Sequence, residues 1–474
     1  MRTWGEIEDR LDPLFYLNMM LLNKNIIQRS IYEVNTFKQH VNMLRGRFGH
    51  RPRNDPRYYG GKYPFIQTGN VVKASESNCK IEHTQTLNGL GLSTSRLFEE
   101  KVLVITIAAN IGYTAILDYS ACFPDSLVAL TTKGKSISLE YLNVYIRFIR
   151  KYIENLAPQA AQKNINLKQL SKLPIVVPPN TIQEKIVSIM NNAYLVKNSK
   201  ENEARKLLYS INDYLLGELD IQLPKETRNT LEDRKFFVSF EAILGGRFDP
   251  KKYSLRYRKI FDAVQNSSIS HIPLKNLVIN SVSGNWGFDD ITDDVALVRC
   301  LALRATEFDN KYNLKLDNSR VKYRKYTQHT LKKINVKHND ILIEKSGGSE
   351  DQPVGRVAII EKSILGDTPL AFSNFIHKIE INTDKAYPEF VFEYLTLMHS
   401  IKITESMQTQ TNGIRNLIMG EYFSQIILLP PKPIQREIVE KISRIRDQAK
   451  MLEYEAEQFL VKAKATVERI LLGD

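Results

Sequence analysis

The chain has 474 residues, 43% of them hydrophobic and 25% charged, with 66 Lys and Arg against 53 Asp and Glu, giving a formal net charge of +13. That length exceeds one ordinary core and the composition is globular, so about two to four domains are expected and wholesale disorder is excluded. No apolar run approaches the ~20 residues of a bilayer span, Glu6, Glu8, Asp9 and Asp12 stand where a signal peptide needs apolar residues, and Cys79, Cys122 and Cys300 form no CxxC pair; together with the basic balance this predicts a cytoplasmic protein with a polyanionic partner.

Read from its N-terminus, the chain passes through one series of elements and then through it again. RLDPLFY at 10–16 returns as RFDPKKY at 247–253, and EKVLVIT with IGYTAI (100–106, 111–116) returns as NDILIEK with VGRVAI (339–345, 354–359). EYLNVYI at 140–146 matches EFVFEYL at 389–395, and LPIVVPPNTIQEKIV at 173–187 matches SQIILLPPKPIQREIV at 424–439. Because the order of the blocks is kept, the chain is two copies of one module. In each copy short β-rich runs (YPFIQTGNVV, VLVITIAA, TAIL, IILL) alternate with turns and a few helices, which predicts an α/β or mixed α+β head.

Each head ends at a prolyl pair, Pro178-Pro179 or Pro430-Pro431, and there the hydrophobic period changes. From Ile438 the apolar positions Ile442, Ile445, Ala449, Leu452, Ala456, Phe459, Ala463, Thr466 and Ile470 alternate steps of four and three, a heptad seam with one polar member. In the first copy Ile182, Ile186, Ile189, Ala193 and Val196 start the same pattern, which blurs near Lys200 and resumes at Ala204, Leu207, Ile211 and Leu215. A helix over 181–217 would span ~55 Å, and a heptad kept this long calls for a partner helix. The expected packing positions are Ile186, Ile189, Leu207, Ile211, Ile438, Ile442, Ile445, Leu452 and Phe459. The expected domains are heads at 1–178 and 241–430, long helices at 179–218 and 431–474, and a charged linker at 219–240.

Motifs for chemistry are missing. The prolyl pairs read VPPN and LPPK, without the polar first residue and aromatic fourth residue that hold a flipped base, and Gly89-Leu90-Gly91 has neither a third glycine nor a strand before it. There is no GxxxxGK[ST] phosphate loop and no HExxH, so no cofactor or catalytic metal is expected.

Charge supplies the positive signal. Residues 44–63 hold Arg45, Arg47, Arg51, Arg53, Arg57 and Lys62 with a single Asp and the aromatic Tyr58, and 319–333 contains Arg320, Lys322, Tyr323, Arg324 and Lys325 without an acid. Such runs grip phosphates and reach bases, the alternative being a solvated basic face. Lys345-Ser346-Gly347-Gly348-Ser349 follows a predicted strand, so its small residues let backbone N–H groups approach an anion, or simply turn the chain. Before the last strand of each head, Lys163, Asn164 and Asn166 in the first copy and Arg415 and Asn416 in the second place polar and basic groups on a turn, where Arg can pair with guanine and Asn with adenine.

FGHRPRNDPRYYGGKYPFIQTGNVV, ITIAANIGYTAI with ACFPDSLV, and LPIVVPPNTIQEKI resemble the target-recognition domain and following conserved helix of type I restriction-modification specificity subunits. The second half resembles the same family through VALVRCLALRATEF, DILIEKSGGS, GRVAII and LLPPKPIQREIVEKI, so the likeness covers nearly the whole chain. It implies two target-recognition domains, each reading one half of a split double-stranded DNA site, separated by two antiparallel helices. It also implies methyltransferase subunits docked on helices and heads and a motor-nuclease subunit joining for cleavage, with no catalysis by this chain. Heads at opposite ends of such a spacer would meet separate stretches of duplex, one helical turn being ~34 Å, and unlike heads predict an asymmetric site whose gap the helices set. Three rival readings remain: the specificity subunit of a related system with methylation and cleavage fused in a partner, a coiled-coil scaffold that ignores sequence, and an enzyme with an unrecognised site.

Overall fold

The computed structural model describes residues 17, 21–50, 54–157, 164–224, 230–231, 234–244, 247–309, 311–316, 321–349, 352–411 and 413–473. The repeat block at 10–16 and the candidates Arg51, Arg53, Lys163 and Arg320 lie outside them. The chain divides into two units, Met1–Ala204 with Lys450–Asp474, and Arg205–Ala449.

In the first unit, β1 (Glu33–Thr36) pairs antiparallel with β10 (Pro174–Val177), forming a two-stranded neck where the head begins and ends. Between them, β2 (Val41–Arg45), β6 (Val102–Thr106), β7 (Thr114–Leu117) and β9 (Leu127–Thr132) make an antiparallel sheet in the order β2-β9-β6-β7. A second sheet, β4-β3-β8-β5, holds β3 (Tyr59–Phe65), β4 (Gln85–Leu87), β5 (Leu97–Phe98) and β8 (Ala121–Cys122), with β3 and β8 parallel. All five residues of β6 are buried. Its two faces feed two cores, Leu103 and Ile105 into one and Val102 and Val104 into the other, which is why VLVI is a continuous apolar run. Against the first face lies α1 (Leu139–Asn155), whose N-cap Ser138 accepts from Tyr141 N and whose Tyr141, Tyr145, Ile149 and Ile153 are buried.

The second unit repeats this plan. Its neck pairs β11 (His271–Pro273) with β23 (Ile426–Leu428). One sheet runs β12-β20-β16-β18, made of β12 (Val278–Ser283), β16 (Ile341–Glu344), β18 (Val357–Ile359) and β20 (Ile376–Ile381). The other runs β13-β15-β14-β19, made of β13 (Phe288–Asp289), β14 (Leu297–Leu303), β15 (Lys322–Thr327) and β19 (Leu370–Phe372), with β14 and β19 parallel. A third, small sheet joins β17 (Ser346–Gly347), β21 (Gln408–Thr411) and β22 (Ile414–Leu417) in the order β17-β22-β21. Pairing corrects the sequence alignment of the repeats by one residue. Leu103 faces Ile116 and Ile341 faces Ile359, and the amides of Thr106 and Glu344 donate to the carbonyls of Tyr113 and Arg356, so Thr106 corresponds to Glu344 and not to Lys345.

The long helices are α2 (Asn180–Glu218) and, after α3 (Pro388–Ser400), α4 (Lys432–Leu472). In the first unit the start of α2 (Ile186, Met190, Ala193) shares a core with the end of α4 (Leu460, Ala463, Val467, Leu471), so the two segments run antiparallel; Lys200 Nζ reaches Glu455 Oε2 at 2.6 Å. In the second unit Ile211 and Leu215 of α2 share a core with Ile438 and Ile442 of α4. Of the expected packing positions, Ile186, Ile211, Ile438 and Ile442 are buried, and Ile189, Leu207, Ile445 and Leu452 are half-buried. Phe459 is a correction, being 48% exposed. An α-helix of 3.6 residues per turn drifts against a strict 3.5 repeat, and the last turns of α4 face the core of the first head. The buried positions there are therefore Leu460, Val467 and Leu471 instead of 459, 466 and 470.

The glutamine of each PPxxxQ block fastens a long helix to its head. Gln183 is 1% exposed; its Nε2 donates to the carbonyls of Ser136 (2.7 Å) and Pro178 (2.9 Å), and its Oε1 accepts from Ser138 N (2.9 Å), the N-cap of α1. Gln435, equally buried, donates to Pro430 O (2.8 Å) and accepts from Tyr387 N (3.0 Å), the N-cap of α3. Tyr145 and Tyr394, equivalent residues of α1 and α3, donate their hydroxyls to the equivalent strand carbonyls of Pro174 and Ile426, both at 2.9 Å. Cys122 and Cys300 are buried, and burial pushes the Cys300 thiol up to about 11, while Cys79 is exposed. Among the described residues no helix is long and apolar enough to cross a membrane, and no group of three or more His, Cys, Asp and Glu could hold a metal ion.

Candidate nucleic-acid interface

Both heads leave the first sheet through the same tight exit. RGRFGH at 45–50 follows β2 and SGNWGF at 283–288 follows β12. At Gly46 and Gly284 a Cβ would run into the carbonyl oxygens of Pro124 and Ser373. Arg47 N donates to Phe123 O and Asn285 N to Phe372 O, which fixes the two segments as equivalents. The eye passes over this repeat because only two of its six residues are identical.

In the first head the exit leads into a cationic and aromatic surface beside the second sheet. Arg45 Nε donates to the Asp125 carbonyl at 2.6 Å, and Arg47 is exposed with no ion pair among the described residues. Tyr58 stacks on His50 at 3.8 Å. Arg57 clasps Asp55 through Nε (3.0 Å) and Nη2 (2.6 Å), and the guanidinium holds that carboxyl well below the ordinary carboxylate range. Among the described residues of the cationic run at 44–63, Arg45 ends β2, Tyr58 closes a 3-10 turn and Lys62 lies in β3. A cavity of about 520 Å³ opens between Asn54, Tyr59, Gln67, Gln85 and Ser126. On its wall Gln67 Nε2 donates to Gln85 Oε1 at 2.6 Å. With that bond made, Gln85 keeps an amide donor and Gln67 a carbonyl acceptor, the two kinds of group that adenine N7 and its N6 amino group pair with. Sequence reasoning missed this pair.

In the second head the basic run falls on β15, again in the second sheet, although it stands elsewhere in the sequence of its module. Lys322 and Tyr323 are exposed. Arg324 lies 4.8 Å over Trp286 and donates to Asp289 at 2.7 Å, and Lys325 Nζ donates to Thr292 O at 2.7 Å. On the opposite face of β15 from Arg324, Arg299 stacks on Tyr323 at 3.9 Å and pairs with Asp290 at 2.7 Å. Trp286 and Arg299 were not among the sequence candidates; Trp286 is 40% exposed.

The remaining candidates are held in the framework. Lys345 Nζ donates to Ser283 Oγ at 2.6 Å, burial lowers its pKa, and His377 nearby is pushed down to about 4 by burial first and by Lys345 second. Ser346 and Gly347 pair with Asn416 and Arg415 as β17 against β22, so the segment expected as a loop is a strand. Ser346 Oγ lies 2.6 Å from Asn416 Oδ1 and Arg415 donates to the Ser349 carbonyl; Ser346 and Arg415, buried, are corrections to the expected contact set. Gly347 and Gly348 have φ of 123° and 67°, conformations open to glycine. Gly348 and Ser349 are exposed. In the first head Asn164 bridges to Ala108, the equivalent contact in reduced form, and Asn166 caps the short Leu167–Ser171 helix by accepting from Gln169 N at 2.8 Å. Exposed candidates are thus Lys62, Lys322 and Tyr323 on the second sheets, Arg45, Arg47 and Arg57 near the exit of the first head, and Asn164, Asn166, Gly348 and Ser349 away from both.

The type I restriction modification DNA specificity domain matches residues 46–207 and again 294–458, over half of the chain. Three solved structures are similar along nearly their whole length at low identity. The type I restriction-modification S subunit from M. genitalium is 14% identical with a TM-score of 0.42, over 93% of this chain and 96% of that one. A chain from a study of complex assembly and conformational transition in a type I R-M system is 12% identical with a TM-score of 0.49, over 93% and 96%. The HsdS subunit from Thermoanaerobacter tengcongensis is 12% identical with a TM-score of 0.35, over 94% and 97%.

Proposed function

Because the chain belongs to the family defined by the type I restriction modification DNA specificity domain, which it carries twice, we propose that it is the specificity subunit of a type I restriction-modification complex. Each head reads one half of a bipartite, asymmetric double-stranded DNA site, and methyltransferase and motor-nuclease partners carry out methylation and cleavage. The working division is recognition at 1–178 and 241–430, spacer helices at 179–218 and 431–474, and a linker at 219–240.

One observation carries this reading. The same scaffold presents unlike chemistry at equivalent places: Arg45 and Arg47 at the exit of the first sheet in one head stand where the other has Ser283 and Asn285, and the buried Phe48 stands where the other has Trp286, 40% exposed. The amide pair Gln67–Gln85 in the first head stands beside the second sheet, where the second head has Arg324 on Trp286. Donors and acceptors placed differently on one frame select different bases. Lys62 and Lys322, exposed on their strands, supply the sequence-independent phosphate attraction.

Mapping modified bases in DNA from cells with and without the gene, its partner genes kept, tests the proposal. The expected result is one modified motif of two unlike halves with a constant gap, lost on deletion. An uninterrupted motif, or a pattern indifferent to the deletion, would refute it.

A further inference from the structure

The repeats can be followed residue by residue where each head meets the long helices, and there they differ. In the second unit the junction is filled by the chain itself. Tyr312, from the connection between β14 and β15, places its hydroxyl 3.0 Å from His399 Nδ1 and meets that ring edge-on at 5.6 Å. Arg446 of α4 reaches Glu393 Oε2 on α3 at 2.7 Å and the Lys311 carbonyl at 3.4 Å.

In the first unit the equivalent positions are Val144 for Glu393, Arg150 for His399 and Tyr194 for Arg446, from the offsets of the EYLNVYI and PPxxxQ blocks. Tyr113 stands for Arg356, whose backbone pairing is the same. All four line one cavity of about 680 Å³, in the range that holds a ligand or a short peptide segment. Lys151, Lys197 and Lys464 add cationic groups to the lining, with Glu76, Glu457 and Glu468 among them; Lys197 pairs with Glu201 at 2.6 Å and Arg150 with Glu154 at 3.8 Å, while Lys151 and Lys464 have no ion pair among the described residues. Arg147 forms part of the wall, and its Nε is buried without a hydrogen-bond partner. Arg150 lies 4.4 Å over the Tyr113 ring, so an aromatic and cationic surface is already assembled.

We infer that this cavity receives an aromatic side chain with a carboxylate beside it, carried on a peptide segment of the methyltransferase partner. The second unit shows what the place accepts, a tyrosine on a turn of polypeptide, and the excess of Lys and Arg in the first adds a preference for an acid. The inference rests on the proposed function, since it takes the methyltransferase subunit as the occupant.

The test is titration of the full chain with the methyltransferase subunit encoded beside it, followed by calorimetry. Arg150→Glu and Lys464→Glu reverse charge in the lining, and Val144→Trp fills the cavity. Each is expected to weaken assembly tenfold or more while unfolding temperature and DNA binding by the chain alone stay unchanged. Should Val144→Trp unfold the chain, the two charge reversals still decide. Assembly of both charge variants at wild-type affinity would overturn the inference and leave the proposed function standing. No assembly by the wild-type chain would overturn both.

Discussion

Replacing Gln183 with leucine should loosen the first unit and leave the second intact. The substitution removes one acceptor from Ser138 N and one donor from the carbonyls of Ser136 and Pro178, in a place where the side chain is 1% exposed. A buried polar group left without a partner costs about 1–3 kcal/mol, and three partly buried ones give about 3 kcal/mol after some reach water. That corresponds to roughly a hundredfold rise in local opening. Hydrogen exchange read separately on Leu139–Asn155 and Pro388–Ser400 is the assay, because each helix is capped where one of the two glutamines bonds. Gln435→Leu, which orphans Tyr387 N and Pro430 O, should produce about 2 kcal/mol in the second unit alone. A loss under about 1 kcal/mol for Gln183→Leu, or equal loss of protection in both helices, would refute the reasoning that these residues fasten each head to its helix.

Two further outcomes follow from the geometry. Gln67→Ala and Gln85→Ala should each cost about 1–3 kcal/mol of discrimination for adenine at one position of one half-site, measured by competition among site variants, with nonspecific binding unchanged. An unaltered preference would remove the pair from the recognition set. His399, buried with Nε2 3.0 Å from the Pro353 carbonyl, is pushed from 6.5 down to about 4, chiefly by burial. The unfolded chain therefore takes up the proton first, and stability is kept above pH 6.5 and lost as pH falls from 6.5 towards 4, by about 3 kcal/mol at the limit. Urea midpoints across that range should fall, and His399→Gln should flatten the profile; a variant as acid-sensitive as wild type would contradict the assignment.

The repeated scaffold is legible in sequence because its signals are local: prolyl pairs, the glutamine that follows them, and heptads. Registration of the repeats was less so. The strands β6 and β16 are buried along their whole length, so no apolar–polar alternation marks their phase, and Thr106 opposite Glu344 in the repeat is too unlike to align by eye; the alignment slipped by one. The cationic runs were visible, but not the groups that engage them. Asp55 stands two residues from Arg57, whereas Asp289 reaches Arg324 and Thr292 reaches Lys325 only once β13 and β15 have paired. Arg415 looked like a turn residue, and the pairing of β22 with β17 turned it inward. Gln67 and Gln85 became neighbours through the pairing of Phe65 with Gln85 in β3 and β4, which neither residue announces.

The two-stranded necks bear on how such a protein changes over time. Glu33 lies opposite Val177 and His271 opposite Leu428, so the segments 33–177 and 271–428, which hold both main sheets of each head, are spliced into their units between adjacent points. A replacement cassette of another length or pattern need only bring its two ends back side by side; the connection to the following helix is then unaltered. Under the proposed function, exchanging one insert would change what is recognised while the frame is inherited whole.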